Sequence, residues 1–229
     1  MSDFETLTID EFASLLDVSL LKPDVAPADI DRLCELGQEY GFNICFNSVY
    51  TSRVVQNVGK QFPLALAACV SFPFGVATTS AKVREAAESV ENGATEIDMV
   101  LGVGLLKGGY EYYDLVERDI AEVVKASGPA GVKVIFENCY LTDNEKITAC
   151  KLATNAGAAF VKTSTGYGTG GATLDDVRLM RANTPAHIKV KAAGGIRTYS
   201  ACIDFLKAGS DRIGIGLNSA IPILESIKK

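Results

Sequence analysis

Short apolar runs rich in Val, Ile, Leu and Phe recur along the chain with polar or amphipathic stretches between them. They are NICFN (43–47), ALAACVSF (65–72), EIDMVL (96–101), VKVIFE (132–137), AFVKTS (159–164), IKVKAAG (188–194) and DRIGIG (211–216). Their lengths suit buried strands, and a spacing of about 25 to 35 residues leaves room for one helix and two loops. SLLKP (19–23) supplies an eighth strand. The intervening stretches read as helices. PADIDRLCELGQEYG repeats apolar residues at three and four positions and can stop at Gly41, and TSAKVREAAESVENG can stop at Gly93. YEYYDLVERDIAEVVKASG and TDNEKITACKLATNAG follow the same plan. Buried strands alternating with helices predict a parallel sheet. Eight such units predict an α/β protein, a single (β/α)₈ TIM barrel over 1–229 with a short N-terminal helix.

A doubly wound sheet is the rival architecture, and GVGLLK (102–107) and GIGLNS (214–219) are its two candidate nucleotide loops. Neither carries the third glycine of G-x-G-x-x-G, and too little chain follows Ser219 for a βαβ unit.

Composition narrows the function classes. Apolar residues are 48% and charged residues 22%, ordinary globular usage. Lys and Arg total 22 against 28 Asp and Glu, a net charge of −6, with no basic run suited to a nucleic acid. No apolar stretch is long enough to span a bilayer, and MSDFETLTIDEF is acidic where a signal peptide is basic, so no membrane partner and a cytoplasmic location are expected. Cys34, Cys45, Cys69, Cys139, Cys150 and Cys202 form no C-x-x-C pair and read as reduced, mostly buried thiols. With His187 the only histidine, no metal site is expected.

In a barrel of this kind the site is built at the C-terminal ends of the strands. The polar residues late in the apolar runs are Asp17, Ser19, Cys45, Asn47, Asp98, Lys133, Glu137, Lys162, Thr163, Ser164 and Lys191. A buried lysine is costly unless paired or neutral, and a neutral amine is a nucleophile. Lys162 and Lys191 fall one βα unit apart, so one ammonium can keep the other unprotonated, an arrangement suited to Schiff-base chemistry. Asp98 and Glu137 are candidates to relay protons or to hold Lys191 charged. The plain alternative is a lysine at a strand terminus with its ammonium in water, and Lys133 fits that reading as well. Four glycines lie within 166–171, and with Gly194, Gly195, Gly214 and Gly216 they offer backbone N–H groups for an anion, to which Arg197 adds charge.

These residues carry a family likeness. DVSLLKPD, EIDMV, VKVIFENCYLTD, FVKTSTGYGTGGAT, VKAAGGIRT and RIG, spread over nearly the whole chain, resemble the deoxyribose-phosphate aldolase family. The resemblance implies a class I aldolase that needs neither metal nor organic cofactor. It would cleave 2-deoxyribose 5-phosphate to glyceraldehyde 3-phosphate and acetaldehyde. It makes Lys162 the Schiff-base lysine, Lys191 the neighbour that lowers its pKa and Asp98 a partner in proton transfer. It places Asp17, Ser19, Cys45 and Lys133 in the pocket, and Thr163, Ser164, Thr165 and Gly166 in the loop that fixes it. Three departures stand out. Val18 occupies a position where many members carry His. RIGIGLN replaces the usual R-I-G-T-S-S and removes two hydroxyl donors to phosphate. The closing ESIKK has no tyrosine of the kind that aids proton transfer in some members. Other readings stay open: a retro-aldolase for an unphosphorylated or different hydroxy-aldehyde, a non-covalent sugar-phosphate isomerase, and a sugar-phosphate binder. The expected partner is a small molecule. A homodimer is one option, with Tyr110, Tyr112 and Tyr113 either at the interface or at the foot of a helix.

Overall fold

The computed structural model describes Phe4, residues 6–59 and residues 61–227. Parts of the opening MSDFETLTIDEF and the last two residues of ESIKK lie outside the described residues. Eight parallel strands close into one barrel in sequence order, β1 through β8. They are β1 Leu16–Leu20, β2 Asn43–Asn47, β3 Leu66–Val70, β4 Glu96–Val100, β5 Gly131–Ile135, β6 Phe160–Lys162, β7 Lys189–Ala193 and β8 Arg212–Gly216. The helices are α1 Ile9–Ser14, α2 Pro27–Tyr40, α3 Thr51–Val58, α4 Thr79–Glu91, α5 Val103–Lys107, α6 Tyr110–Ser127, α7 Asp143–Asn155, α8 Leu174–Ala182, α9 Tyr199–Lys207 and α10 Leu217–Ile227. No helix among the described residues is long and apolar enough to cross a membrane.

Local signals start and stop these elements. Thr78, Thr142, Thr173 and Thr198 each accept a backbone N–H at the start of α4, α7, α8 and α9, a cap worth about 1 kcal/mol. Pro27 opens α2, and Gly41 closes it in the left-handed conformation, with φ 75°. The first strand lies earlier than SLLKP suggests. Leu16 and Val18 are wholly buried in the shell under the helices, while Leu21 and Lys22 have left the ladder ahead of Pro23.

Side chains alternate across a strand. One set, with Val18, Ile44, Ala68, Ile97, Val134, Val161, Val190 and Ile213, packs outward against the helices in a continuous apolar shell. Fully burying one such branched side chain is worth about 1.5–3 kcal/mol. The other set fills the barrel and is polar: Asp17, Cys45, Cys69, Asp98, Lys133, Lys162 and Lys191 are all at most 3% exposed. Apolar packing outside the sheet therefore stabilises the fold and supports the charged interior.

Candidate active site

Register brings the interior groups together. Asp98 pairs with Lys133, and Lys162 pairs with Lys191, on neighbouring strands. Asp98 lies at the centre: its Oδ2 accepts from Lys162 Nζ and from Lys191 Nζ, each at 2.8 Å, and its Oδ1 accepts from Lys133 Nζ at 2.7 Å. Asp17 Oδ2 lies 2.5 Å from Lys191 Nζ and 3.5 Å from Lys133 Nζ. Gly214 makes room for this packing, because a Cβ there would lie 2.7 Å from Ala193 Cβ and 3.1 Å from the Lys191 stem.

Two members of the cluster were not foreseen. Arg212 donates to Asp17 Oδ1 at 2.6 Å and lies 3.6 Å from Glu96, and Glu96 also pairs with Lys133. Both sit in quoted motifs, Glu96 two residues before Asp98 in EIDMV and Arg212 two before Gly214 in RIG. The two-residue strand period that turns Asp98 and Gly214 inward turns them inward too. Phe160 lies beneath them, its centroid 5.6 Å from both Lys133 Nζ and Arg212 Cζ, close enough for cation–π attraction.

The charges do not balance. Among the described residues the cluster holds four cations, Lys133, Lys162, Lys191 and Arg212, against three carboxylates, Asp17, Glu96 and Asp98. Lys133, Lys191 and Arg212 are each shared between carboxylates, whereas Lys162 meets Asp98 alone among the described residues. Burial opposes the charge on Asp98, yet Lys133, Lys162 and Lys191 prevail and hold its carboxyl well below the usual range. Asp17 is likewise held down, against burial, by Lys191, Lys133 and Arg212. Burial also opposes the charge on Lys191, but Asp17 and Asp98 outweigh it and keep that ammonium well above its ordinary value. Lys133 is raised against burial by Asp98 and Asp17.

Above the cluster opens a cavity of about 360 Å³ at the C-terminal ends of the strands, within the size range of small-molecule sites. Asp17, Ser19, Cys45, Lys162, Lys191, Gly166, Gly194, Gly195, Gly214 and Gly216 line it, as the strand-end reading expects. Asn47, Asp98 and Ser164 are not among the lining residues, and four other expectations change. Lys133 is wholly buried and lies off the cavity wall, below it, because its amine is drawn down to Glu96 and Asp98. Thr163 turns its hydroxyl to the Ala193 carbonyl and N–H, both at 3.0 Å, and so ties β6 to β7 instead of facing substrate. Arg197 is exposed and off the wall, beyond the turn that follows Gly195. Glu137 contacts none of the cluster's cations among the described residues; it accepts from Thr165.

The wall also includes Lys22, Tyr167 and Asn218, none of them among the polar strand-end residues named from the sequence. Cys45 Sγ lies 3.8 Å from Cys69 Sγ and 4.0 Å from Asp98 Oδ2. All six cysteines are free thiols, five of them buried and Cys139 partly exposed.

Fold and site together define a TIM-barrel enzyme whose pocket presents buried amines to a small molecule. The model of the DeoC/LacD family of aldolases matches residues 24–216. The deoxyribose-phosphate aldolase of Methanocella arvoryzae is 49% identical over 213 residues, 92% of this chain and 94% of that one. That of Thermococcus kodakarensis is 46% identical over 94% of this chain and 96% of its own. The solved deoxyribose phosphate aldolase from Aeropyrum pernix, described as tetrameric, has a TM-score of 0.86 at 32% identity, covering 97% of this chain and 93% of its own. A sialic acid aldolase from Ruminococcus gnavus shares the fold alone, with a TM-score of 0.65 at 12% identity over 95% of this chain and 74% of its own. The chain belongs to the DeoC/LacD family and is an aldolase.

Proposed function

We propose that the chain cleaves 2-deoxy-D-ribose 5-phosphate reversibly to D-glyceraldehyde 3-phosphate and acetaldehyde through a Schiff base on Lys162. The observation that carries this reading is that Lys162 both lines the cavity and meets a single carboxylate in a cluster with one cation in excess. Loss of one proton makes such a cluster neutral. Lys162 holds the fewest carboxylates and alone of the paired amines meets only one among the described residues, whereas Lys191 and Lys133 keep two or more each.

The neutral Lys162 amine adds to the aldehyde carbon of the open-chain sugar, and loss of water leaves an iminium. The iminium draws in the electrons of the C2–C3 bond as the C3 hydroxyl gives up its proton. Glyceraldehyde 3-phosphate leaves, and an enamine of acetaldehyde remains on Lys162. Protonation of that enamine and hydrolysis free the amine. Asp98 Oδ2, 2.8 Å from Lys162 Nζ, is placed to take and return a proton at the reacting nitrogen. Lys191, kept charged by Asp17, supplies the fixed positive field beside the reacting nitrogen.

The backbone N–H groups of Gly194 and Gly195, the start of the 11-residue α10 beside Gly216 and Asn218, and Lys22 together offer an anion site at one end of the cavity. That site supports the phosphorylated substrate although RIGIGLN lacks the family's hydroxyls. A second reading, an unphosphorylated hydroxy-aldehyde, draws on Leu217 in the cavity wall.

Turnover of 2-deoxyribose with and without the 5-phosphate, by the parent and by Lys162→Ala, tests both. The proposal expects fast turnover of the phosphate ester by the parent and none by the variant. Equal or better turnover of the free sugar favours the second reading. Full activity in Lys162→Ala contradicts the Schiff base and favours a non-covalent route.

A further inference from the structure

Glu137, which follows β5 and precedes a 3₁₀ turn at Asn138–Tyr140, is 3% exposed and has φ 55°. A residue with a side chain adopts that left-handed conformation only where its surroundings demand it. Here the demand comes from the loop after Lys162. Glu137 Oε1 accepts the Thr165 N–H at 3.1 Å, and Oε2 accepts the Thr165 hydroxyl. The same hydroxyl oxygen accepts the Tyr167 N–H at 3.0 Å. On either side the backbones are joined, Phe136 N–H to Lys162 O and Asn138 N–H to Thr163 O, each at 3.0 Å. Gly168 then passes directly over the clamp, since a Cβ there would lie 2.7 Å from Cys139 Sγ and 3.0 Å from Glu137 Cδ.

What this clamp holds is Tyr167. Its ring stands edge-on to Phe72, with centroids 5.4 Å apart and planes at 88°. It lines the 360 Å³ cavity that contains Lys162, and also a second cavity of about 80 Å³ bounded by Phe74, Val100 and Tyr140. Tyr167 is therefore the partition between the two spaces, and Glu137 reaches it through Thr165.

We propose that Glu137 is a positioning residue: its clamp on Thr165 fixes Tyr167 as the wall that limits the size of the aliphatic aldehyde joined to Lys162. The size selection rests on the Schiff-base reading above, whereas the clamp itself does not. With the wall in place, a two-carbon aldehyde fits beside the amine. With the wall released, the second cavity, lined by Phe74, Val100 and Val103 beside Glu137, accepts further methylenes.

The test has two arms, each applied to the parent, Glu137→Ala, Thr165→Val, their double variant and Tyr167→Ala. The first is amide hydrogen exchange over residues 163–170. The second is borohydride trapping with acetaldehyde and with butanal in competition. Faster exchange is expected in Glu137→Ala and Thr165→Val. In both, and in Tyr167→Ala, the butanal to acetaldehyde adduct ratio should rise by about tenfold, of the order that a methylene or two in an apolar pocket commands. The acetaldehyde adduct should persist in Glu137→Ala, and the double variant should match the single ones. Unchanged exchange, an unchanged ratio, or loss of the acetaldehyde adduct in Glu137→Ala overturns the proposal. Thr165→Val decides the matter if Glu137→Ala fails to fold. A parent that traps neither aldehyde overturns the Schiff-base reading together with the size selection, and the exchange arm still judges the clamp.

Discussion

Five lysines among the described residues are buried, and they fall into two groups. Lys82 and Lys146 lie outside the barrel, between helices. Lys82 donates to Asp119 at 2.6 Å and to the Val100 carbonyl at 3.1 Å, and Lys146 meets Asp176 at 2.6 Å and Asp143 at 3.1 Å. Each of these amines has at least its own carboxylate. Lys133, Lys162 and Lys191 lie inside the barrel, where with Arg212 they outnumber the carboxylates, and Lys162 and Lys191 reach a cavity. Burial of a lysine is thus no sign of chemistry by itself. The distinguishing features are an unbalanced charge and an opening to solvent.

The comparison breaks most easily at its extremes. Lys162→Ala should lower turnover on the order of 10⁴-fold, as loss of a covalent nucleophile does, while the melting temperature stays near that of the parent. Lys82→Met should do the reverse. Removing one partner of a buried pair costs about 3–5 kcal/mol, or roughly 2–4 °C in Tm per kcal/mol for a chain of this size, with kcat unchanged. A thermal scan and an initial-rate assay on each variant give both numbers. A Lys82→Met protein with normal stability, or with lost kcat, would erase the distinction between the two groups.

Arg212→Gln sharpens it. With one cation removed the interior cluster becomes balanced, three cations against three carboxylates. Borohydride trapping of acetaldehyde at neutral pH should slow about tenfold, of the order that removing one nearby charge produces. An unchanged trapping rate would show that charge count does not govern the amine.

The smallest expected effect concerns stability against pH. Asp17 and Asp98 have carboxyls held below their ordinary values in the fold, so they stabilise it above the usual carboxylate range near ~4 and cease to do so as pH falls. Lys133 and Lys191 are raised, so their contribution is present below about pH 10 and is lost as pH climbs through their folded values. Stability should be flat between these limits and fall on both sides. Denaturant titrations across pH check this, and Asp98→Asn should flatten the acid side.

The alternation of apolar runs and amphipathic stretches made the barrel legible, because the strand face beneath the helices is apolar throughout and recurs at the spacing of one helix and two loops. The first strand lies earlier than SLLKP suggests because Leu21 extends the apolar run past Leu20, where the chain leaves the sheet. Lys162, Lys191 and Asp98 were legible as polar residues inside apolar runs. Arg212 and Glu96 were not, since each opens its strand and looks in sequence like a solvated end. Lys82 and Lys146 were hidden for another reason: each lies on a helix, and its burial depends on Asp119 and Asp176, 37 and 30 residues away. Such pairings follow from the packing of neighbouring helices and leave no local pattern.

The most direct test of the central claim is to trap acetaldehyde on the parent with borohydride, digest the protein and locate the new ethyl group by peptide mass. The account predicts modification at Lys162, with Lys82, Lys133, Lys146 and Lys191 untouched. An ethyl group on Lys191 or Lys133, or one spread over several lysines, would contradict the view that the unbalanced cluster singles out one amine.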